Sequence, residues 1–417
     1  MLDLKLLRRE PDQVRAALAR RGGAAAVDEL LKLDERRREL LPQLEGLRAQ
    51  RNEASEAIGQ AKRSGDDASE AIAQMREVAS QIKALEGELA QVEGALDAKL
   101  ATLPNPPDPT AADEDDVVKE WGEPRPKGRD HVDLLGDRLD MEAGARVAGS
   151  RFVYMKGELV FLEFALVRWA LELLAAKGFV AVTPPVLVRE EALFGTGFLP
   201  DTEQQIYSVP DDNLFLAGTS EVPLSYLHAG QILEEPQLPL RYAGFSTCFR
   251  REAGAAGKDT RGMFRVHQFD KVEMFTFVRP EDSRAEHDRL LAIEEEIFQA
   301  LEIPYRVVNI GVAELGNSAA KKYDVEAWLP GDAGGRYREV TSCSNTTDYQ
   351  ARRIDCRYRP LDADGTRHVH TLNGTAVAVG RTIIAIVETH QQDDGSIRIP
   401  EVLHAHGAPP LITPARH

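Results

Sequence analysis

Ala71-Ile-Ala-Gln-Met75-Arg-Glu-Val78-Ala-Ser-Gln-Ile82-Lys-Ala-Leu85-Glu-Gly-Glu-Leu89-Ala-Gln-Val92-Glu-Gly-Ala-Leu96 carries an apolar residue at alternating steps of four and three, without a break. That spacing keeps one stripe of a helix facing a partner helix, the seam of a coiled coil. Working outward, a second stripe precedes it: Leu33, Leu40, Leu44, Leu47, Ala54, Ile58 and Ala61, interrupted by Arg37 and Arg51. Pro42 lies inside this outgoing segment and predicts a kink. Between the two runs stands Arg63-Ser-Gly-Asp-Asp67, a polar turn whose Asp67 is placed to cap the return helix. The reading is an antiparallel helical hairpin over about residues 28–100, each arm roughly 30–35 residues and so about 50 Å long. Charge on it is uneven. Residues 32–63 hold eight basic and six acidic side chains, and residues 66–97 hold two basic and eight acidic. The outgoing helix is therefore the one able to face phosphates, although ordinary ion pairs on a solvated face explain the same charges.

Beyond the hairpin, Leu103-Pro-Asn-Pro-Pro-Asp-Pro109 and the acidic run Asp113-Glu-Asp-Asp116 read as a linker over 103–116. This sets an N-terminal domain at 1–102 and a larger domain at 117–417. The larger domain mixes an apolar helix near 157–177 with a strand-like run at Phe179–Val182. Further strand-like runs fall at Leu214–Leu216, Met263–Phe269, Val272–Val278, Tyr305–Ile310 and Tyr337–Ser342, and a glycine-rich passage leads into apolar Thr382–Val387. An α+β fold with helices against a mostly antiparallel sheet is expected.

Composition narrows the function classes. A chain of 417 residues with 43% hydrophobic content suits two or three globular domains. Leu159–Ala176 is interrupted by Glu163, Arg168 and Glu172, so it reads as a buried helix and not a membrane span. The N-terminus has no apolar targeting segment. Three cysteines without a Cys-x-x-Cys pair predict neither a disulfide framework nor a cysteine-built zinc site, and fit the cytoplasm. A net charge of −17 argues against a protein that coats nucleic acid indiscriminately, and leaves selective binding by a locally basic surface open.

Three passages of the larger domain carry chemistry. The first is the helix ending at Lys177-Gly178-Phe179 with Pro184-Pro185 beyond it. The second is Cys248-Phe-Arg250-Arg251-Glu252, a small-residue loop at 253–262, and Phe264-Arg-Val266-His267-Gln268-Phe269. The third is Asn373-Gly374-Thr375-Ala-Val-Ala-Val-Gly380-Arg381. In this order they resemble the three signature motifs of class II aminoacyl-tRNA synthetases. Gly218-Thr219-Ser220-Glu221, Phe269-Asp-Lys-Val-Glu273 and Glu339-Val-Thr-Ser342 look like strings of the seryl-tRNA synthetases, bacterial type. With the hairpin as the family's tRNA-binding arm, the resemblance covers essentially the whole chain.

The resemblance implies ATP-dependent activation of L-serine and its transfer to serine tRNA, and to selenocysteine tRNA where present. Joining a carboxylate to the α-phosphorus of ATP brings two anions together, so fixed arginines are required. Arg250 and Arg381 fill that catalytic role by resemblance. The ATP site is implied at Arg250, Arg251, Glu252, Val266, Phe269, Glu339, Val340, Thr341, Ser342 and Arg381, with Mg²⁺ at Glu339 and Ser342, hard oxygen donors that suit that ion. Serine is implied at Thr219, Ser220, Glu221, Glu273 and Thr375. His267, which precedes the strand residues, reads as structural. Two departures stand out: Thr375 and Ala376 replace a serine and a glycine of the family's third motif, and Ser220 stands where alanine is common. The methyl of Ala376 is expected to crowd a close backbone approach. A homodimer through the first motif is also implied. The competing readings are a class II homologue that loads a small amino acid onto a carrier protein or metabolite, and a non-catalytic coiled-coil scaffold.

Overall fold

The interrupted and uninterrupted apolar stripes become two long antiparallel helices. In the computed structural model, residues 1–65, 67–200, 204–253, 259 and 261–415 are described. They divide into two units, 1–106 and 107–417.

In the first unit, short helices α1 (Leu4–Arg9) and α2 (Pro11–Ala19) precede α3 (Ala24–Ser64) and α4 (Ser69–Thr102). Helix α3 runs through Pro42 without interruption, so the proline does not divide it. Leu40, Leu44 and Ile58 of α3 and Ile82 and Leu96 of α4 are buried along the seam. At its base Leu7, Val14, Leu18, Val27, Leu30, Leu96, Leu100 and Leu103 form a separate apolar cluster. Gly65 ends α3 in the left-handed conformation that favours glycine. Of the turn, Asp66 lies outside the described residues. Asp67 accepts from both the backbone N–H and the hydroxyl of Ser69, one position ahead of the formal cap. Three arginines of α3 pair with glutamates of α4: Arg36 with Glu88 at 2.6 Å, Arg37 with Glu93 at 2.9 Å and Arg48 with Glu86 at 2.8 Å. The ion-pair explanation thus accounts for those three. It does not account for Arg38, Arg51, Lys62 and Arg63, which pair with no acidic side chain among the described residues.

The stretch read as a linker is anchored at both ends. Leu103 belongs to the first unit's cluster, whereas Ala111 packs with Val308, Ile310 and Leu315 in the second. Asp116 already starts a strand. Proline removes helix here, but apolar anchors still tie the chain down.

The second unit is built on an eight-stranded sheet. Its strands are β1 (Asp116–Trp121), β2 (Val180–Val182), β3 (Leu240–Phe249), β4 (Gln268–Val278), β5 (Tyr305–Asn309), β6 (Lys321–Leu329), β7 (Arg336–Asn345) and β8 (His370–Ala378). The order across the sheet is β1-β5-β6-β7-β8-β4-β3-β2. Every neighbouring pair is antiparallel except β3 and β2. The expected α+β architecture holds. Helices α5 (Glu158–Ala176), α6 (Ser283–Ala300) and α7 (Val379–Thr389) share one large hydrophobic cluster with the sheet. Alternation along β4 puts Val272 and Met274 into that cluster and leaves Phe269, Lys271 and Glu273 for the other face. The expected strand at Met263–Phe269 is a correction: the strand begins at Gln268. The residues before it follow Gly262 (φ +77°), where an added Cβ would lie 2.1 Å from His131, and the Met263 N–H is taken by that imidazole.

Among the described residues, no helix is long and apolar enough to cross a membrane.

Candidate active site

Strands β3 and β4 are joined by the second motif, and the antiparallel register Phe249↔Gln268 brings its two halves side by side. Arg250 follows β3. Its backbone N–H donates to the His267 carbonyl and its own carbonyl accepts from the His267 ring nitrogen, which fixes His267 as a backbone brace. The Arg250 guanidinium donates to the Gly218 carbonyl at 3.1 Å and lies 5.3 Å from the Phe269 ring centre. Arg381, on the first turn of α7, donates to the carbonyls of Glu339 at 3.0 Å and Phe264 at 3.3 Å, and stacks 4.7 Å from the Phe264 ring. Arg250 is thereby fixed by an uncharged carbonyl and the Phe269 ring, whereas Arg381 also pairs with the Glu339 carboxylate at 3.4 Å; both guanidiniums are held in place before an anion arrives.

These residues line a cavity of about 500 Å³. Its wall on β7 includes Glu339, Val340, Thr341 and Ser342 in succession. A strand normally sends alternate residues to one face; here the register with β6 shifts between Val325 and Glu326, a bulge at Val340 that turns neighbouring residues towards the same space. Burial works to raise the Glu339 carboxyl, but Arg381, Lys322 and Arg250 together hold it below the usual carboxylate range. Glu252 also lines the cavity, its carboxylate bonded to Arg265 at 2.6 Å. Arg251 does not line it: the side chain is exposed, and its backbone N–H bonds Gln205. The small-residue loop of the second motif falls largely at 254–258 and 260, outside the described residues.

At the inner end, Glu273 is 2% exposed and meets Lys271 Nζ at 2.5 Å and the Thr375 hydroxyl at 3.3 Å. The Glu273↔Thr375 register across β4 and β8 places the latter contact. Lys271 also donates to the Thr219 hydroxyl at 2.7 Å. Glu221 accepts from the side-chain amides of Gln350 at 2.7 Å and Asn373 at 3.0 Å. Two expectations are corrected here. Ser220 lines no part of the cavity; its hydroxyl turns behind the site to Ser246, 2.7 Å away, because it sits at the start of a short helix packed on β3. Ala376 is the extra residue of a bulge between Thr375 and Val377 and packs in the hydrophobic core, so its methyl does not crowd the site. Sequence reasoning passed over Lys271, Arg265, Phe264, Lys322, Gln350 and Asn373. Only Lys271 had a plain signal, its period-two spacing between Phe269 and Glu273.

Burial, and after it the Glu273 carboxylate, push the Glu221 carboxyl up to about 7. The sign follows from proton linkage. Between the ordinary carboxylate range and pH 7 the folded protein holds a proton that the unfolded chain releases, so stability falls as pH rises through that window. The penalty is absent below the unfolded value and complete above about 7. Glu221→Gln keeps the acceptor oxygen and is expected to gain stability at pH 8 by up to roughly 3 kcal/mol, with no gain near pH 4.5. Thermal melts of both proteins across pH 4.5–8 check this; a pH-independent difference contradicts it.

Among the described residues no group of three or more His, Cys, Asp or Glu side chains is placed to hold a metal ion, and all three cysteines are buried and unpaired.

Residues 206–390 match the family model described as the tRNA synthetase class II core domain (G, H, P, S and T). The antiparallel sheet, the two fixed arginines and the cavity between them therefore define a class II synthetase core. Residues 1–107 match the seryl-tRNA synthetase N-terminal domain. A curated serine–tRNA ligase of Streptomyces coelicolor is 46% identical, with 97% of each chain covered. A crystal structure of seryl-tRNA synthetase from Pyrococcus horikoshii complexed with ATP gives a TM-score of 0.92 at 43% identity over 100% of both chains. The cytoplasmic serine–tRNA ligase of Naegleria fowleri in complex with AMP gives 0.88 at 34% identity, covering 100% of this chain and 99% of that one. The chain belongs to the seryl-tRNA synthetase family.

Proposed function

We propose that this protein activates L-serine with ATP and transfers the serine to tRNA, that is, that it is a serine–tRNA ligase. The observation that carries the reading is one cavity with two unlike ends. Thr219, Glu221, Lys271, Glu273 and Thr375 line a polar inner end whose hydroxyls and carboxylates suit an ammonium and a hydroxyl, and Arg250, Phe269, Glu339 and Arg381 line an outer region with two arginines and an aromatic ring. Serine's ammonium and hydroxyl are taken by Glu273, Thr219 and Thr375, with Glu221 close by. ATP lies with its adenine on Phe269 and near Glu252, and its phosphates on Arg250 and Arg381. The serine carboxylate then attacks the α-phosphorus, forming seryl-adenylate and releasing pyrophosphate. No side chain need act as nucleophile or general base, since positioning and charge neutralisation lower the barrier. In the second step a ribose hydroxyl of the tRNA's terminal adenosine attacks the adenylate carbonyl and AMP leaves.

Mg²⁺ fits this site. Glu339, held ionised, and Ser342 supply one carboxylate and one hydroxyl from a single strand, a hard and incomplete donor set that suits an ion keeping water and phosphate oxygens as its other ligands. Bound there, the ion would neutralise phosphate charge. Arg251 and Ser220, which do not line the cavity, have no place in this assignment.

ATP–pyrophosphate exchange in the presence of each standard amino acid tests the reading. Exchange that depends on serine supports it, and exchange that ignores serine or answers better to another amino acid refutes it.

The first unit, 1–106, is the tRNA-binding element in this reading, through the basic side chains of α3 that pair with no acidic side chain among the described residues. Removing residues 38–91 and rejoining the helices with a short glycine turn spares the apolar cluster at the base. Pyrophosphate exchange should survive within about threefold, while charging should fall on the order of 10²-fold or more, as the phosphate contacts that dominate such affinity are lost. Normal charging by the shortened enzyme would show that the arm does something else. We also assign a homodimer. Phe161 and Phe164 on one face of α5 are 62% and 63% exposed, and Val180 on the neighbouring edge strand is 59% exposed, an apolar patch that a second copy would cover. Light scattering at micromolar concentration should give twice the 46.1 kDa chain mass; the mass of one chain contradicts the assignment. The buried, unpaired cysteines fit a cytoplasmic location.

A further inference from the structure

Strand β4 turns Phe269, Lys271 and Glu273 into the cavity by its period of two, and the reaction outlined above gives work only to the first and last. Lys271 is 5% exposed. Its ammonium meets Glu273 Oε2 at 2.5 Å and donates to Thr219 Oγ1 at 2.7 Å. Those are two of the groups that the substrate ammonium must reach. An α-amino acid arrives as a zwitterion, so its ammonium competes with Lys271 for the same acceptors. Were Lys271 to stay, two cations would crowd one buried carboxylate while the substrate carboxylate went without a close partner at this end. A lysine charge sits on a flexible four-carbon stem, and its three donors need no fixed plane, so it can pivot where an arginine fork would not.

We propose that Lys271 is a counter-ion exchanged by the substrate: it neutralises Glu273 in the empty cavity, and turns to the serine carboxylate when the serine ammonium takes its place. One ion pair, Lys271 with Glu273, and the hydration of the zwitterion give way to two ion pairs, Glu273 with ammonium and Lys271 with carboxylate. No covalent bond is made or broken, and neither Lys271 nor Glu273 is left without a counter-charge, which avoids the cost of an unpaired buried charge. Lys271 then positions the carboxylate beside Arg250 and selects for ligands that possess one. The inference rests on the cavity being the serine site.

The test compares serine with serinamide, whose carboxylate is replaced by a neutral amide. Calorimetric titrations of both into the full-length wild-type, Lys271→Gln and Lys271→Arg enzymes are read together with ATP binding as a check on folding. In Lys271→Gln, serine should weaken by about tenfold or more and serinamide by less than about threefold, the scale of one lost charge-assisted hydrogen bond, so the preference for the free carboxylate collapses. Lys271→Arg keeps the charge and should retain that preference within about threefold. Equal weakening of both ligands, an unchanged preference in Lys271→Gln, or a preference lost in Lys271→Arg would each overturn the proposal. If Lys271→Gln does not bind ATP, the double variant Lys271→Gln/Glu273→Gln, which strands no buried charge, is read the same way: a retained carboxylate preference overturns the proposal and its loss supports it. A wild-type enzyme that neither binds serine nor shows serine-dependent exchange would instead sink the functional reading itself.

Discussion

Arg381→Ala and Arg250→Ala are each expected to slow seryl-adenylate formation by on the order of 10³-fold, the loss found when one preorganised donor is taken from a developing oxyanion. The expectation follows from how the two guanidiniums are held. Arg381 is fixed by the carbonyls of Glu339 and Phe264 and by the Phe264 ring, and Arg250 by the Gly218 carbonyl. Their positions are set before ATP arrives, so little reorganisation accompanies reaction. Arg381→Lys should recover only a small part of the rate, because an ammonium cannot hold two carbonyls in one plane and still present charge to the phosphate. Single-turnover measurement of adenylate formation checks this. A loss confined to ATP affinity, with the chemical step unchanged, would assign these arginines to binding alone.

Glu273→Ala carries the second large effect. It removes the acceptor assigned to serine's hydroxyl and ammonium and leaves Lys271 buried without its carboxylate. The kcat/KM for serine-dependent exchange should fall by on the order of 10²-fold or more, about 3 kcal/mol for a charged hydrogen-bonding group. Alanine lacks the hydroxyl but keeps the ammonium, so its activation should fall less and the serine-to-alanine preference should shrink. A site built to bond a hydroxyl penalises its absence through its own unpaired groups, and that penalty disappears with them. The informative quantity is the ratio of the two kcat/KM values in mutant and wild type. An unchanged ratio removes Glu273 from hydroxyl recognition.

The parts of this fold that could be read from sequence are those whose pattern is local. The four-three stripe from Ala71 to Leu96 foretold α4, and Leu40, Leu44 and Ile58 foretold the face of α3 that is buried. Strands β3, β6 and β8 were not legible, although β4 and β7 beside them were; for β8 the reason is that it is buried at all but its first residue, so apolar and polar residues do not alternate along it. Met263–Phe269 misled for the opposite reason, since its apolar residues face a cavity and a core from an irregular backbone. The site divides in the same way. Arg250, Glu252, Phe269, Glu273, Thr375 and Arg381 sit in strings whose order resembles a known family, and all line the cavity. Ser220 lies in such a string too, yet its side chain turns away, because neighbours on a tight turn cannot all face one point. Gln350 and Asn373 reach Glu221 across 129 and 152 residues of chain, a convergence that only the tertiary fold creates.

Charging of purified serine tRNA with labelled serine and ATP tests the whole account most directly, since it requires the cavity, both arginines and the arm to work in one reaction. Acid-precipitable serine approaching one per tRNA, dependent on ATP and absent with a non-cognate tRNA, is the predicted result. Serine-dependent pyrophosphate exchange without any transfer to tRNA would contradict it, and would point to a carrier protein or metabolite as the acceptor.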